Sequence, residues 1–176
     1  MNRILVKVIP TWDANADLQT LSNSLCALPF IDGVSIENSV TLDKKYGSRY
    51  NGVLYYNLGD ILARTFETPK KGETVLMITN EPVIRDFYHT HGRIEIISGI
   101  SWREEKKALV SSYNFSEINP TIVFHNIGGH ELYHIVSKQE LDHDNKEGRN
   151  CIMKVYDKLP SSYLKLCDEC VSRLKI

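Results

Sequence analysis

The segment from Asn119 to Ser137 limits what this chain can fold into more than any other. Asn119-Pro120 is a helix start, because asparagine is a favoured N-cap and proline suits the first helical position, where no N–H is needed. Ile122, Val123, Ile127, Leu132, Ile135 and Val136 follow, so much of the predicted helix is buried. Inside that apolar run stand His130, Glu131 and His134. Residues four apart share a helix face, so the two imidazoles are presented together. Burying them is costly unless something satisfies them, and one metal ion does so. HExxH is a zinc-hydrolase pattern: the histidines grip the ion, and the glutamate is general base toward a metal-bound water. Gly128-Gly129 lie immediately upstream. Two glycines in a helix cost roughly 1 kcal/mol each relative to alanine. They imply close approach of a strand or cleft floor, or a local kink.

The rest of the composition is that of an ordinary soluble globule. A chain of 176 residues fits one domain, 1–176, and 42% hydrophobic residues are enough for a real core. The formal net charge is −1 and no long basic run occurs, so no nucleic-acid partner is expected. Lys44-Lys45, Lys70-Lys71 and the cluster Arg103–Lys107 read as solvated turns and faces. The apolar run Ile4–Ile9 stops at Pro10, too short for a signal-peptide core, and no stretch approaches a membrane span. A cytoplasmic protein without membrane contact is the expectation. There, cysteines are thiols or metal ligands rather than disulfides. Cys26 stands alone on an amphipathic segment and reads as a core residue. Cys167 and Cys170 form a CxxC that suits either redox chemistry or a zinc site. Redox chemistry expects the motif at a helix start after an early strand. With Cys151 close upstream, a structural zinc staple is the stronger reading.

Along the chain, a strand at 3–9 precedes a helix from about Asn15 to Ala27 and a strand near Gly33–Leu42. A charged loop covers 43–50. A helix around 52–66 places Val53, Leu54, Leu58, Ile61, Leu62 and Phe66 at helical spacing. Pro69–Gly72 is a turn. The continuously apolar strand 74–79 is central. An edge strand at 93–99, a strand at 107–113, the HExxH helix and a last helix over 161–175 complete the reading. The fold class is α/β, with a mixed, mostly parallel sheet and an antiparallel edge strand.

These motifs, in this order, resemble the archaemetzincins, a metzincin-clan group of zinc peptidases with the pattern HExxHxxGxxHC, then CxM, then CxxC. Arg49-Tyr50-Asn51, Val75–Asn80 and Ala108–Ser112 look like the family's corresponding upstream segments. The resemblance implies a metzincin-like fold and two zinc ions. Three histidines would hold a catalytic zinc and four cysteines a structural one. It also implies Met153 as the methionine of a Met-turn, and peptidase or aminopeptidase action on a peptide or protein substrate.

Three departures stand out. Ser137 replaces the glycine that lets the chain leave the helix sharply. Glu140 stands where the third histidine belongs, and the next histidine is His143. Asp144 replaces the cysteine that follows. Two assignments remain open. In one, a three-residue insertion brings His143 to the catalytic zinc, and Asp144 joins Cys151, Cys167 and Cys170 on the structural zinc. In the other, Glu140 is the third catalytic ligand and His143 completes a structural site with the three cysteines. A third reading is that the ligand is lost. Gln139, Glu140 and Asp142 suit a solvated loop, and Asp142 or Asp144 could orient His143.

The remaining candidates carry less. His89 and His91 read as a surface loop. His125 lies about 140° around the helix from His130 and is not expected to share its metal. Tyr156 reads as packing rather than an oxyanion donor. The expected chemistry is zinc-dependent peptide-bond hydrolysis, with an extended substrate pairing along the edge strand Arg93–Gly99. The rivals are a catalytically inactive, zinc-stabilised binding module of the same fold, and thiol redox chemistry at Cys167 and Cys170.

Overall fold

A computed structural model describes residues 3–64, 68–85, 95–137, 150–154, 156 and 158–174. In chain order the elements are β1 (Ile4–Pro10), α1 (Leu18–Cys26), β2 (Ile31–Ile36), β3 (Gly47–Tyr50), β4 (Val53–Asn57), α2 (Leu58–Arg64), β5 (Glu73–Thr79), β6 (Val83–Ile84), β7 (Ile96–Ile97), β8 (Gly99–Trp102), β9 (Lys107–Ser111), α3 (Pro120–Val136) and α4 (Asp168–Arg173). A five-stranded sheet has the order β2-β1-β5-β9-β8. All its pairings are parallel except β8 on β9. It is a mixed, mostly parallel sheet with one antiparallel edge strand, as the sequence predicts.

The apolar run of β5 is central because it is covered on both faces. Leu76 and Ile78 join Val6, Val8, Ala108 and Val110 against Leu21, Leu25, Phe124 and Leu132 of helices α1 and α3. Val75 and Met77 alternate to the other face and pack with Tyr56, Leu58, Ile61 and Val83. The period of two along the strand divides one apolar run between two cores. Among the described residues no helix is long and apolar enough to cross a membrane.

Several expected elements differ. The segment 43–50 is not a plain loop: a 3-10 turn at Lys44–Tyr46 leads into β3. No helix begins at 52. Asn51 and Gly52 both have positive φ, 47° and 82°, and turn the chain so that β4 pairs antiparallel with β3. Asn-Gly is the strongest short hairpin signal, and the helical spacing of Val53, Leu54 and Leu58 masked it. Strands β3 and β4 belong to a four-stranded sheet, β3-β4-β6-β7, that the sequence reading did not foresee. The antiparallel edge strand of the larger sheet is β8, while Ile96–Ile97 of the expected 93–99 strand form β7 of the smaller sheet, and 93 and 94 lie outside the described residues. The strand expected over 33–42 runs Ile31–Ile36, with one further bridge from Val40 to Thr11. The last helix is shorter than 161–175, because the backbone at 160–164 is taken by α3, as described below. Cys26 is exposed rather than core.

The glycine pair faces what the sequence implies. A Cβ on Gly128 would lie 3.2 Å from Leu76 Cδ2 of β5, and one on Gly129 only 2.3 Å from Ile152 Cδ1 and 2.9 Å from Leu28 Cδ1. Ile152 is buried, so it has little room to yield. Alanine gains about 1 kcal/mol of helix propensity, while overpacking costs about 1–3 kcal/mol. Gly129→Ala is therefore expected to destabilise by up to about 2 kcal/mol, and Gly128→Ala, with its looser contact, to be nearly neutral. Chemical denaturation of both variants checks this. An equal effect at the two positions would refute the contact argument.

Candidate metal centre

Helix α3 begins as predicted: Asn119 Oδ1 accepts from the Thr121 N–H at 2.9 Å, with Pro120 in the first turn. The helix turns His130, Glu131 and His134 toward one side. His130 Nε2 and His134 Nε2 lie 3.0 Å apart. Two nitrogens on a tetrahedral zinc, each at roughly 2.0–2.1 Å, are about 3.3 Å apart. The pair is thus close to ligand spacing. His130 Nδ1 is 3.0 Å from the Ile152 carbonyl. A carbonyl only accepts, so the Nδ1 proton donates and Nε2 presents its lone pair. On the C-terminal side of the pair, Arg103 Nε donates to the His134 carbonyl at 2.9 Å. A cation there also suits the helix dipole.

Glu131 is half-buried against Gly99 at the start of the edge strand. A Cβ on Gly99 would come within 2.8 Å of Glu131 Oε1. His130 and Glu131 line a cleft of about 200 Å³, with Phe115, Ile127, Ile152, Lys154, Tyr156, Leu159 and Leu164 among its walls. A larger cavity of about 450 Å³ lies elsewhere, beside His125 and Tyr163. It carries none of the HExxH residues. Burial holds the His125 imidazole below its ordinary range, so it stays neutral. Its nitrogens meet Ser24 Oγ at 3.1 Å and the Leu164 carbonyl at 2.9 Å, apart from the His130 pair.

The cysteines converge. Sγ of Cys151, Cys167 and Cys170 all lie within 4.8 Å of one another. Cys151 Sγ and Cys170 Sγ are 3.8 Å apart, the distance two sulfurs take on a tetrahedral zinc at about 2.3 Å each. The Cys151 thiol is pulled down to about 5, first by the hydrogen bond from Cys170 and then by backbone N–H groups of Cys167 and Met153, against its burial. The same bond pushes Cys170 well above an ordinary thiol. Thiols this close become thiolates when a metal ion binds, releasing their protons. The chemistry of both donor sets therefore fits zinc.

The two clusters are joined by the turn Cys151–Lys154, closed by Lys154 N–H to Cys151 O at 3.1 Å. Cys151 gives its sulfur to the trio, Ile152 gives its carbonyl to His130, and Met153 is buried directly after them. Tyr156 OH donates to the Cys151 carbonyl at 3.0 Å, consistent with packing. The CxxC sits at a helix start after all: Cys167 is the N-cap of α4. Ser137 is buried and extended, φ −81° and ψ 145°, so the chain leaves α3 without the left-handed residue a glycine would supply. His143, Glu140, Asp144, Asp142, Gln139, His89 and His91 lie outside the described residues.

Sequence reasoning missed Asn126, Arg103 and the Ile152 carbonyl. Asn126 is buried. Its amide donates to Ser162 O at 3.0 Å, and its Oδ1 accepts from Leu164 N–H at 2.8 Å. With His125 it holds 160–164 in a non-helical form, which is why the last helix starts late. The available signal was two polar residues on a buried helix face, which must find partners.

No family model matches the chain, and no curated protein matches it in sequence. Solved structures do match. Archaemetzincin from Archaeoglobus fulgidus superposes with a TM-score of 0.66 at 18% identity, over 97% of this chain and 99% of that one. Archaemetzincin from Methanopyrus kandleri gives 0.66 at 17% identity, over 98% and 94%. A zinc-dependent peptidase from Methanocorpusculum labreanum gives 0.63 at 14% identity, over 96% and 99%. At such identities the likeness is one of fold, and over nearly its whole length this chain has the fold of the archaemetzincins.

Proposed function

We propose that this protein is a zinc-dependent peptidase. The observation that carries the reading is the pair of imidazole nitrogens 3.0 Å apart, with Glu131 beside them in the cleft. His130 and His134 would hold a catalytic ion, with His143 or Glu140 as third ligand. Cys151, Cys167 and Cys170 would hold a structural ion, with Asp144 or His143 as fourth. Bound at the first site, zinc supplies a lowered water pKa and a polarised carbonyl. Glu131 takes a proton from water and hands it to the leaving amine. The Ile152 carbonyl keeps His130 in the required tautomer, and Met153 forms the Met-turn beneath the site. Gly99 of the edge strand β8 packs against Ile127 and Glu131, which brings that strand beside the site, where an extended substrate would pair along its edge. Aminopeptidase-like action on peptides or proteins, in the cytoplasm, completes the proposal.

The test is zinc content together with cleavage of a mixed peptide library. Wild-type protein should carry two zinc ions per chain, and chelation should remove cleavage that added zinc restores. His134→Ala should lose one ion. His143→Ala should lose it too if His143 is the third ligand, and Glu140→Ala should if Glu140 is. Absence of zinc together with indifference to chelator would sink the proposal. The extended exit at Ser137 favours a second reading, a zinc-stabilised binding module of the same fold. That protein would hold zinc and cut nothing.

A further inference from the structure

The cleft beside Glu131 has an uneven character. Phe115, Ile127, Ile152, Leu159 and Leu164 make it apolar, while Lys154 is half-buried in its wall. Among the described lining residues Lys154 is the one amine. Its Nζ lies 5.3 Å from the ring centroid of Tyr156, also in the wall, so ring and ammonium form a single surface. Half-burial removes some of the ammonium's water, which strengthens any opposite charge that meets it. Glu131 is the one carboxylate in the described lining and would repel an anion, so an incoming carboxylate is drawn to Lys154. A volume of about 200 Å³ is below the ~300–1,000 Å³ of drug-sized sites. It suits an apolar side chain with its flanking backbone.

Resting on the peptidase reading, we infer that Lys154 selects substrates in which a carboxylate lies next to the apolar residue seated in the cleft. Lys154 is a specificity residue here, not a proton carrier. The carboxylate could be a free C-terminus or an aspartate or glutamate side chain. The experiment separates these with three versions of one apolar pentapeptide: free carboxylate, C-terminal amide, and amide with one glutamate.

Hydrolysis is followed with the zinc-loaded wild type and Lys154→Gln. Binding is followed by calorimetry in the zinc-loaded Glu131→Gln protein, with and without Lys154→Gln. One or both carboxylate peptides should exceed the amide about ten-fold, in kcat/KM mainly through KM, and in affinity. The preference should shrink with added salt. Lys154→Gln should bring the ratio to about one, and Lys154→Glu should favour a lysine-bearing peptide instead. Which carboxylate peptide responds identifies the source. Carboxylate-selective binding that depends on Lys154, without any hydrolysis, removes the peptidase reading and keeps this one. Hydrolysis or binding whose carboxylate ratio ignores Lys154 overturns this inference, as does failure to bind or cut any of the three peptides.

Discussion

Glu131→Gln is expected to keep its full zinc content while losing peptide hydrolysis by about 10²–10⁴-fold, the usual contribution of a positioned acid–base group. The two properties separate because the residue lies beside the imidazole pair without belonging to it. The pair is set by the four-residue spacing on α3 and by the Ile152 carbonyl, neither of which the substitution touches. Glutamine keeps the side chain's size, so the tight fit against Gly99 is preserved. What disappears is the oxygen able to accept a proton from water and return it to the amine. The loss should fall on kcat with little change in KM. Metal analysis and steady-state kinetics on one preparation decide it. Hydrolysis within a few-fold of wild type would remove Glu131 from the mechanism. Loss of zinc would show that the residue holds the ion instead.

The parts of this fold that were readable from sequence are those with one dominant local signal. Asn119-Pro120 and the apolar run defined α3. The unbroken Val75–Ile78 run defined the central strand, and the glycine pair announced a close approach, which is to Leu76 and Ile152. Reading failed where two periodicities competed. Val53, Leu54 and Leu58 fit a helix, yet Asn51-Gly52 had already reversed the chain into a hairpin. It failed again where long-range bonds decide. Nothing local to 160–164 says that His125 and Asn126, more than thirty residues away, will hold it out of a helix. The site divides the same way. His130, Glu131 and His134 are legible because one helix carries them. The Ile152 carbonyl is not, since a backbone atom has no letter in a sequence. Bringing Cys151 to Cys167 and Cys170 needs the tertiary fold. Spacing alone left their CxxC open between redox and metal chemistry, and it misjudged lone Cys26 as core.

Cys170→Ser should be the most damaging single substitution in the protein, and its effects should reach the histidine site. Cys170 is buried, 3.8 Å in sulfur separation from Cys151, and its carbonyl accepts from Tyr133 OH at 3.1 Å. Serine is a poor zinc ligand and leaves a buried hydroxyl without the sulfur partner. Structural zinc in finger peptides is worth about 10–16 kcal/mol, against a total of roughly 5–15 kcal/mol for an ordinary domain. Losing even a third of that, about 3–5 kcal/mol, lowers Tm by roughly 6–20 °C at this chain length. The second effect follows from the turn. Cys151 is fixed by the trio, and the next residue's carbonyl fixes the His130 tautomer. Releasing the sulfur should loosen that carbonyl and weaken zinc at the histidines by about 10–100-fold, the usual cost of losing an outer-shell partner. Zinc content should fall from two ions to one, with the remaining ion held less tightly under competition from a chelator. Cys26→Ser, on an exposed cysteine, should change none of this and serves as the control. An unchanged Tm and two retained ions in Cys170→Ser would mean that the three thiols are not a metal site. An unchanged affinity at the histidines, with the staple lost, would mean that the Cys151–Ile152 turn holds its shape without its sulfur anchor.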